Sequence, residues 1–135
     1  MQFSLAFHTR HLYQASGPGV NVPVALSDGS VSVQLFAKVD TGAEYCFFER
    51  GFAEALGIEV ESGAPLDCAT LTGVFRAYGH ELTLVTLGVE VHSIVYFYAD
   101  SHFVRNVLGR NGWLNRVRLG LVDYDSAVYV SDYND

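Results

Sequence analysis

One stretch constrains this chain more than any other. Residues 31–37, Val-Ser-Val-Gln-Leu-Phe-Ala, form an apolar strand-like run that closes on Val39-Asp40-Thr41-Gly42-Ala43. That closing segment places a carboxylate, a hydroxyl and a glycine in a sharp turn at a strand end. Upstream, Ser27-Asp28-Gly29-Ser30 holds an Asp-Gly pair, which supplies the positive φ that tight hairpins need. The sequence therefore predicts a hairpin of residues 20–26 and 31–39 whose second strand delivers Asp40 to a turn.

The rest of the chain supports a mostly β fold. Residues 2–7 alternate loosely and are expected to form an edge strand, while Gly17-Pro18-Gly19 marks a loop. Cys46-Phe47-Phe48 is a short buried run. Residues 49–56 have helical spacing, with Phe52, Ala53 and Leu56 on one face and Gly57 as a stop. Residues 58–60 return to extended structure. Residues 65–70 and 74–78 read as a hairpin with Leu71-Thr72-Gly73 at its tip. Residues 81–87 and 89–98 alternate around Gly88. The end of the segment 106–114 reads as a second short helix, and residues 117–122 and 127–130 as final strands around the turn 123–126. Many short strands with regular turns predict a mostly antiparallel β fold, a sandwich or barrel. No repeat, linker or low-complexity tract divides residues 1–135, so a single domain is expected.

Composition excludes several classes. The net charge is −7, Lys38 is the only lysine, and no basic run is present, so no nucleic-acid partner is expected. No apolar run is long enough to span a membrane. The N-terminus lacks a basic segment ahead of its apolar residues and makes a poor signal peptide. With only Cys46 and Cys68, reduced thiols in a cytoplasmic protein are favoured over one disulfide. The histidines are scattered, and neither His-Glu-x-x-His nor Cys-x-x-Cys occurs, so no metal or other cofactor is expected. Gly-x-Ser-x-Gly, Gly-x-Gly-x-x-Gly and Walker loops are also missing.

A hairpin ending in Asp40-Thr41-Gly42-Ala43, a helical segment ending in Leu56-Gly57-Ile58, a hairpin around Thr70-Leu71-Thr72-Gly73, and Val107-Leu108-Gly109-Arg110-Asn111 follow one another in this order. The order resembles the retropepsins, the single-domain aspartic proteases of retroviruses, and their cellular and bacterial relatives. The resemblance spans roughly residues 20–122. It implies a closed β-barrel or sandwich with one or two short helices and a flap hairpin. It also implies an aspartic endopeptidase, with Asp40 as catalytic residue. A chain with one Asp-Thr-Gly holds only half of a catalytic pair, so a homodimer is implied, with a peptide or protein as substrate.

The same resemblance implies roles for the neighbouring residues. Thr41 bonds across the dimer axis, Gly42 lets the backbone approach the substrate, and Ala43 completes the turn. Glu44 pairs with Arg110 to brace the turn from behind. Val107, Leu108 and Gly109 lead into a helix, and Leu71, Thr72 and Gly73 form the flap. Two departures stand out. Lys38 occupies a place where the family usually has an apolar residue, and either enters the cleft or faces outward. The C-terminal tail extends beyond a minimal retropepsin. The rival to an active enzyme is a peptide-binding or dimerisation module with the same groove, since fold alone does not establish activity.

Overall fold

The computed structural model describes residues 1–135. In chain order its elements are β1 (Thr9–Leu12), β2 (Asn21–Ser27), β3 (Ser32–Val39), β4 (Phe47–Phe48), helix α1 (Arg50–Ala55), β5 (Ala64–Thr70), β6 (Gly73–Thr86), β7 (Val89–Tyr98), β8 (Val107–Leu108), β9 (Val117–Val122) and β10 (Ala127–Asp132). Single 3₁₀ turns lie at Val60–Ser62, Leu114–Arg116 and Asp123–Asp125. The chain is mostly β, as the strand-and-turn pattern predicts.

The strands fall into two sheets. One has seven strands in the order β2-β3-β8-β4-β7-β6-β5, and β2 pairs additionally with β6. The other is β1-β10-β9, antiparallel throughout. In the larger sheet β3 runs parallel to β8 and β4 runs parallel to β7. These two parallel pairs bring two distant parts of the chain, residues 32–48 and 89–108, together at the centre of the sheet.

Period-two alternation explains the core. Val22, Val24 and Leu26 of β2 are buried, as are Val89, Val91, Ser93, Val95 and Phe97 of β7. The apolar members pack with Leu35, Phe48, Leu108 and Trp113 in one cluster. Pro23 has no N–H to donate, and it lies in the part of β2 before the backbone ladder with β6 begins at Ala25. The turn after β2 forms as expected. The Asp28 carboxylate accepts the N–H groups of Ser30 and Val31, both at 2.8 Å, and Gly29 takes φ +102°.

Helix α1 ends by a double backbone bond. The N–H of Ile58 reaches the carbonyl of Ala53 and that of Gly57 reaches Glu54, both at 3.0 Å. Gly57 adopts φ +76°, the left-handed conformation that this termination requires.

Several expected elements differ. The runs 74–78 and 81–87 are one strand, β6, and the segment 58–60 enters a 3₁₀ turn at Val60. Residues 2–7 form no strand; the first strand is Thr9–Leu12, paired with Val130 to Ala127 of β10. No second α-helix follows Gly109. Residues 107–108 are strand, Asn111 forms a bridge with Tyr45, and one 3₁₀ turn follows at Leu114–Arg116. A 3₁₀ turn is as far as the chain gets before Val117 enters β9 and its antiparallel pairing with β10.

Candidate active site

The end of β3 is pinned on both sides. The N–H of Lys38 donates to Asn106 O at 2.9 Å, that of Val39 to Val20 O at 2.8 Å, and that of Asp40 to Leu108 O at 3.0 Å. Beyond Asp40 the chain turns at once. The N–H of Ala43 returns to Asp40 O at 3.2 Å, and the N–H of Gly42 donates to Asp40 Oδ1 at 2.9 Å. An aspartate that caps its own turn in this way has one carboxylate oxygen fixed and the other free to face outward.

The turn is held from below by the segment 107–111. Val107 and Leu108 are buried and register with Lys38 and Val39. The N–H of Arg110 donates to Ala43 O at 2.9 Å and that of Asn111 to Glu44 O at 2.8 Å. Gly109 passes so close that a Cβ on it would lie 2.1 Å from Tyr45 O and 2.8 Å from Ala43 O. Glycine is needed here for close approach of two backbones, not for a left-handed φ.

This backbone stitching replaces the ion pair expected between Glu44 and Arg110. No such pair forms: both residues are exposed, and the guanidinium of Arg110 makes no salt bridge. Two main-chain bonds already tie residues 43–44 to 110–111, so the turn is braced without the side chains.

Asp40 lies in a cleft of about 530 Å³. Gly42, Ala43 and Glu44 line it beside Asp40, and Tyr45, Phe47, Tyr98 and Val107 add apolar surface. Leu66, Cys68 and Thr70 of β5 and Phe75 of β6 complete the wall opposite. The aromatic rings form a continuous set. Phe47 stacks on Tyr98 at 5.8 Å, Phe75 meets Phe47 edge-on at 5.5 Å, and Phe103 stacks on Tyr98 at 5.1 Å. Burial pushes the Tyr98 phenol up to about 12, against the opposing influence of Arg105.

The Asp40 side chain is 31% exposed, and its nearest cationic neighbour is Arg105, whose Nη2 lies 3.8 Å from Oδ2. Sequence reasoning missed Arg105. It sits in the connection between β7 and β8, with no periodicity to mark it. The one available clue is its position two residues before Val107, whose pairing with Lys38 sets this segment beside the end of β3.

The other expected residues distribute as follows. Thr41 is exposed outside the cleft, near Arg110, Asn111, Leu114 and Asn115. Leu71 and Thr72 are the turn of the β5–β6 hairpin, and Leu71 is fully exposed. The Thr70 hydroxyl donates to Gly73 O at 2.9 Å, closing that turn, and Gly73 takes φ +141°. Lys38 faces outward: its aliphatic stem covers Gly19, where a Cβ would lie 2.9 Å from Lys38 Cε.

The remaining acid on the hairpin is already engaged. Both oxygens of Asp67 accept from Arg76, at 2.8 and 3.0 Å, which holds the Asp67 carboxyl below the usual carboxylate range. Cys46 and Cys68 form no disulfide. Burial pushes the Cys46 thiol up to about 11, although the Gly109 N–H directed at its sulfur at 3.4 Å acts the other way. Cys68 is also raised, first by burial and then by the charges of Glu44 and Asp67. No cluster of three or more His, Cys, Asp or Glu side chains capable of holding a metal ion is present. No helix is long and apolar enough to cross a membrane.

No protein-family model matches the chain, and no curated protein matches it by sequence. Comparison of structures does find chains of similar fold. A crystal structure of a retropepsin-like aspartic protease from Rickettsia conorii superposes with a TM-score of 0.59 at 19% sequence identity, over 82% of this chain and 89% of that one. The pinned Asp-Thr-Gly turn, the segment crossing beneath it and the hairpin opposite thus belong to a chain with the retropepsin-like fold.

Proposed function

We propose that the chain, as a single domain, is an aspartic endopeptidase active as a homodimer, with Asp40 as the catalytic residue of each protomer. The observation that carries this reading is the position of Asp40. A part-exposed carboxylate, capped by its own turn, faces a peptide-sized cleft beneath a β-hairpin.

One such carboxylate is half of a hydrolytic device. Two carboxylates a few ångströms apart cannot both ionise, because their charges repel at close range, so the pair retains one proton. The ionised member accepts a proton from a water. The protonated member donates to the scissile carbonyl oxygen as the water oxygen attacks the carbon. The tetrahedral diol then collapses as a proton passes to the leaving amine, and no covalent enzyme intermediate forms. Of the other acids lining the cleft, Asp67 is engaged by Arg76, and the Glu44 side chain has no hydrogen bond to fix it beside Asp40, so neither is held as the second carboxylate.

A second protomer supplies it by symmetry. Thr41 and Gly42 are exposed in the single chain, as residues that meet a symmetry mate should be. Leu71, Thr72 and Gly73 then act as the flap that closes over bound peptide and excludes water. Val107, Leu108 and Gly109 are positioning residues that hold the turn through its main chain. The two unpaired thiols fit a reducing compartment, and we place the protein in the cytoplasm.

The test is cleavage of an unfolded protein by wild type and by Asp40→Asn, with cut sites mapped by mass. The substitution removes the ionisable group while keeping its shape, and should lower kcat by on the order of a thousandfold. A module that only binds peptide would cut nothing and would keep its affinity in the variant. Cleavage that survives Asp40→Asn would end the proposal.

A further inference from the structure

The cleft has a side chamber whose chemistry differs from that of its centre. Between the hairpin tip and the segment 103–105 lies a recess of about 320 Å³. Its walls include Thr70, Thr72, Phe75, Tyr98 and Phe103, and Arg105 is the only charged residue among those lining it. Arg105 also lines the main cleft and reaches to 3.8 Å from Asp40 Oδ2. The one guanidinium thus stands at the junction of the recess and the reacting carboxylate.

Its contact with Asp40 is a loose one. A separation of 3.8 Å through one nitrogen is beyond hydrogen-bond range, and the Arg105 side chain is 65% exposed. The guanidinium therefore keeps its donors available. A carboxylate seated in the recess could take two of them in parallel, which is the strongest arrangement an arginine makes. Binding a neutral side chain there would leave the donors to water. Binding a cation would place two positive charges together in a partly desolvated chamber.

We propose that Arg105 is a specificity-determining residue, and that it selects a peptide whose side chain beside the scissile bond is a carboxylate, Glu or Asp. The inference rests on the peptidase reading of the cleft. Aromatic walls fit the methylene stem of such a side chain, and the threonines at the hairpin tip offer hydroxyls at its rim. The remaining acids of the main cleft lie outside the recess: Glu44 belongs to the turn side, and Asp67 is held by Arg76. Nothing anionic in the recess competes with the incoming group.

The experiment uses matched peptides with Glu, Gln or Lys at each of the positions flanking one cut site, amidated at the C-terminus so that no terminal carboxylate contributes. Wild type should favour Glu over Gln by roughly two- to fivefold in kcat/KM at one flanking position, the range expected of a charge-assisted pair open to solvent. Arg105→Gln should bring that ratio near one, and Arg105→Glu should move the preference to Lys. The same ratios are read as binding affinities on Asp40→Asn, which separates the two proposals. Absence of turnover defeats the peptidase reading, whereas equal affinity for Glu and Gln peptides defeats the role of Arg105. Retention of the Glu preference in Arg105→Gln would overturn it as well.

Discussion

At the scale of single residues, two glycines carry opposite expectations. Gly109 is buried, and a methyl group there would collide with the carbonyls of Tyr45 and Ala43 at 2.1 and 2.8 Å. These are backbone atoms of the turn that carries Asp40, so they cannot rotate aside. Gly109→Ala should lower stability by about 3 kcal/mol, at the upper end of overpacking effects, and disturb the active turn as well. Gly51, in helix α1, faces open space: no atom lies within 4 Å of where a Cβ would stand. Gly51→Ala should raise stability by about 0.5 kcal/mol, through the usual helix preference for alanine. Denaturant midpoints of the two variants beside wild type check both signs at once. The amino-acid sequence places Gly51 in a helical segment and Gly109 in a motif, but does not show the space around either. The Asp40 turn is legible there because Asp-Thr-Gly after a strand is a local pattern. Arg105 is not, because its closeness to Asp40 is created by the parallel pairing of β3 with β8.

At the scale of elements, legibility follows sequence distance. The β2–β3 hairpin, the β5–β6 hairpin and helix α1 can be read from turns and stops inside themselves: Asp28-Gly29, Leu71-Thr72 and Gly57. The position of β1 cannot, because its partner is β10, at the other end of the chain. Only that pairing selects residues 9–12 over residues 2–7, whose alternation is the more regular. The β5–β6 hairpin carries its own internal tie, the Asp67–Arg76 pair, which joins directly opposed residues of the two strands. Arg76 holds the Asp67 pKa below its unfolded value. Above the unfolded value the carboxylate is ionised in both states, and the pair's stabilisation is fully present. As pH falls through the folded value the native carboxylate takes up its proton and that stabilisation is lost. Both side chains are half exposed, so the effect belongs to the hairpin and not to the whole fold. Hydrogen exchange corrected for intrinsic rates should show β5 amides opening more readily in Arg76→Ala at neutral pH, with the global unfolding midpoint unchanged. In wild type the same amides should loosen only on acidification below the ordinary carboxylate range. Equal protection in variant and wild type at neutral pH would show that backbone pairing alone sets the hairpin.

At the scale of the whole molecule, the question is how many chains make one active site. The protomer offers the cleft one carboxylate that is free of a bidentate partner and capped at the strand end, and the chemistry needs two that share a proton. If the second comes from a symmetry mate, activity depends on both members of each dimer being intact, and a damaged chain disables its healthy partner. Asp40→Asn preserves shape and should still pair, so mixing it with wild type turns assembly into a counting experiment. After equal amounts are unfolded and refolded together, random pairing leaves about one quarter of the dimers with two aspartates. Activity should then fall to about one quarter of that of the same total amount of refolded wild type, whereas a chain that acts alone would retain about one half. At three parts variant to one part wild type the two expectations separate further, to about one sixteenth against about one quarter. Sedimentation of the same samples fixes the population of dimers, so that weak pairing cannot imitate independence. A yield that tracks the wild-type fraction linearly, in samples shown to be dimeric, would mean that each chain carries a complete site of its own.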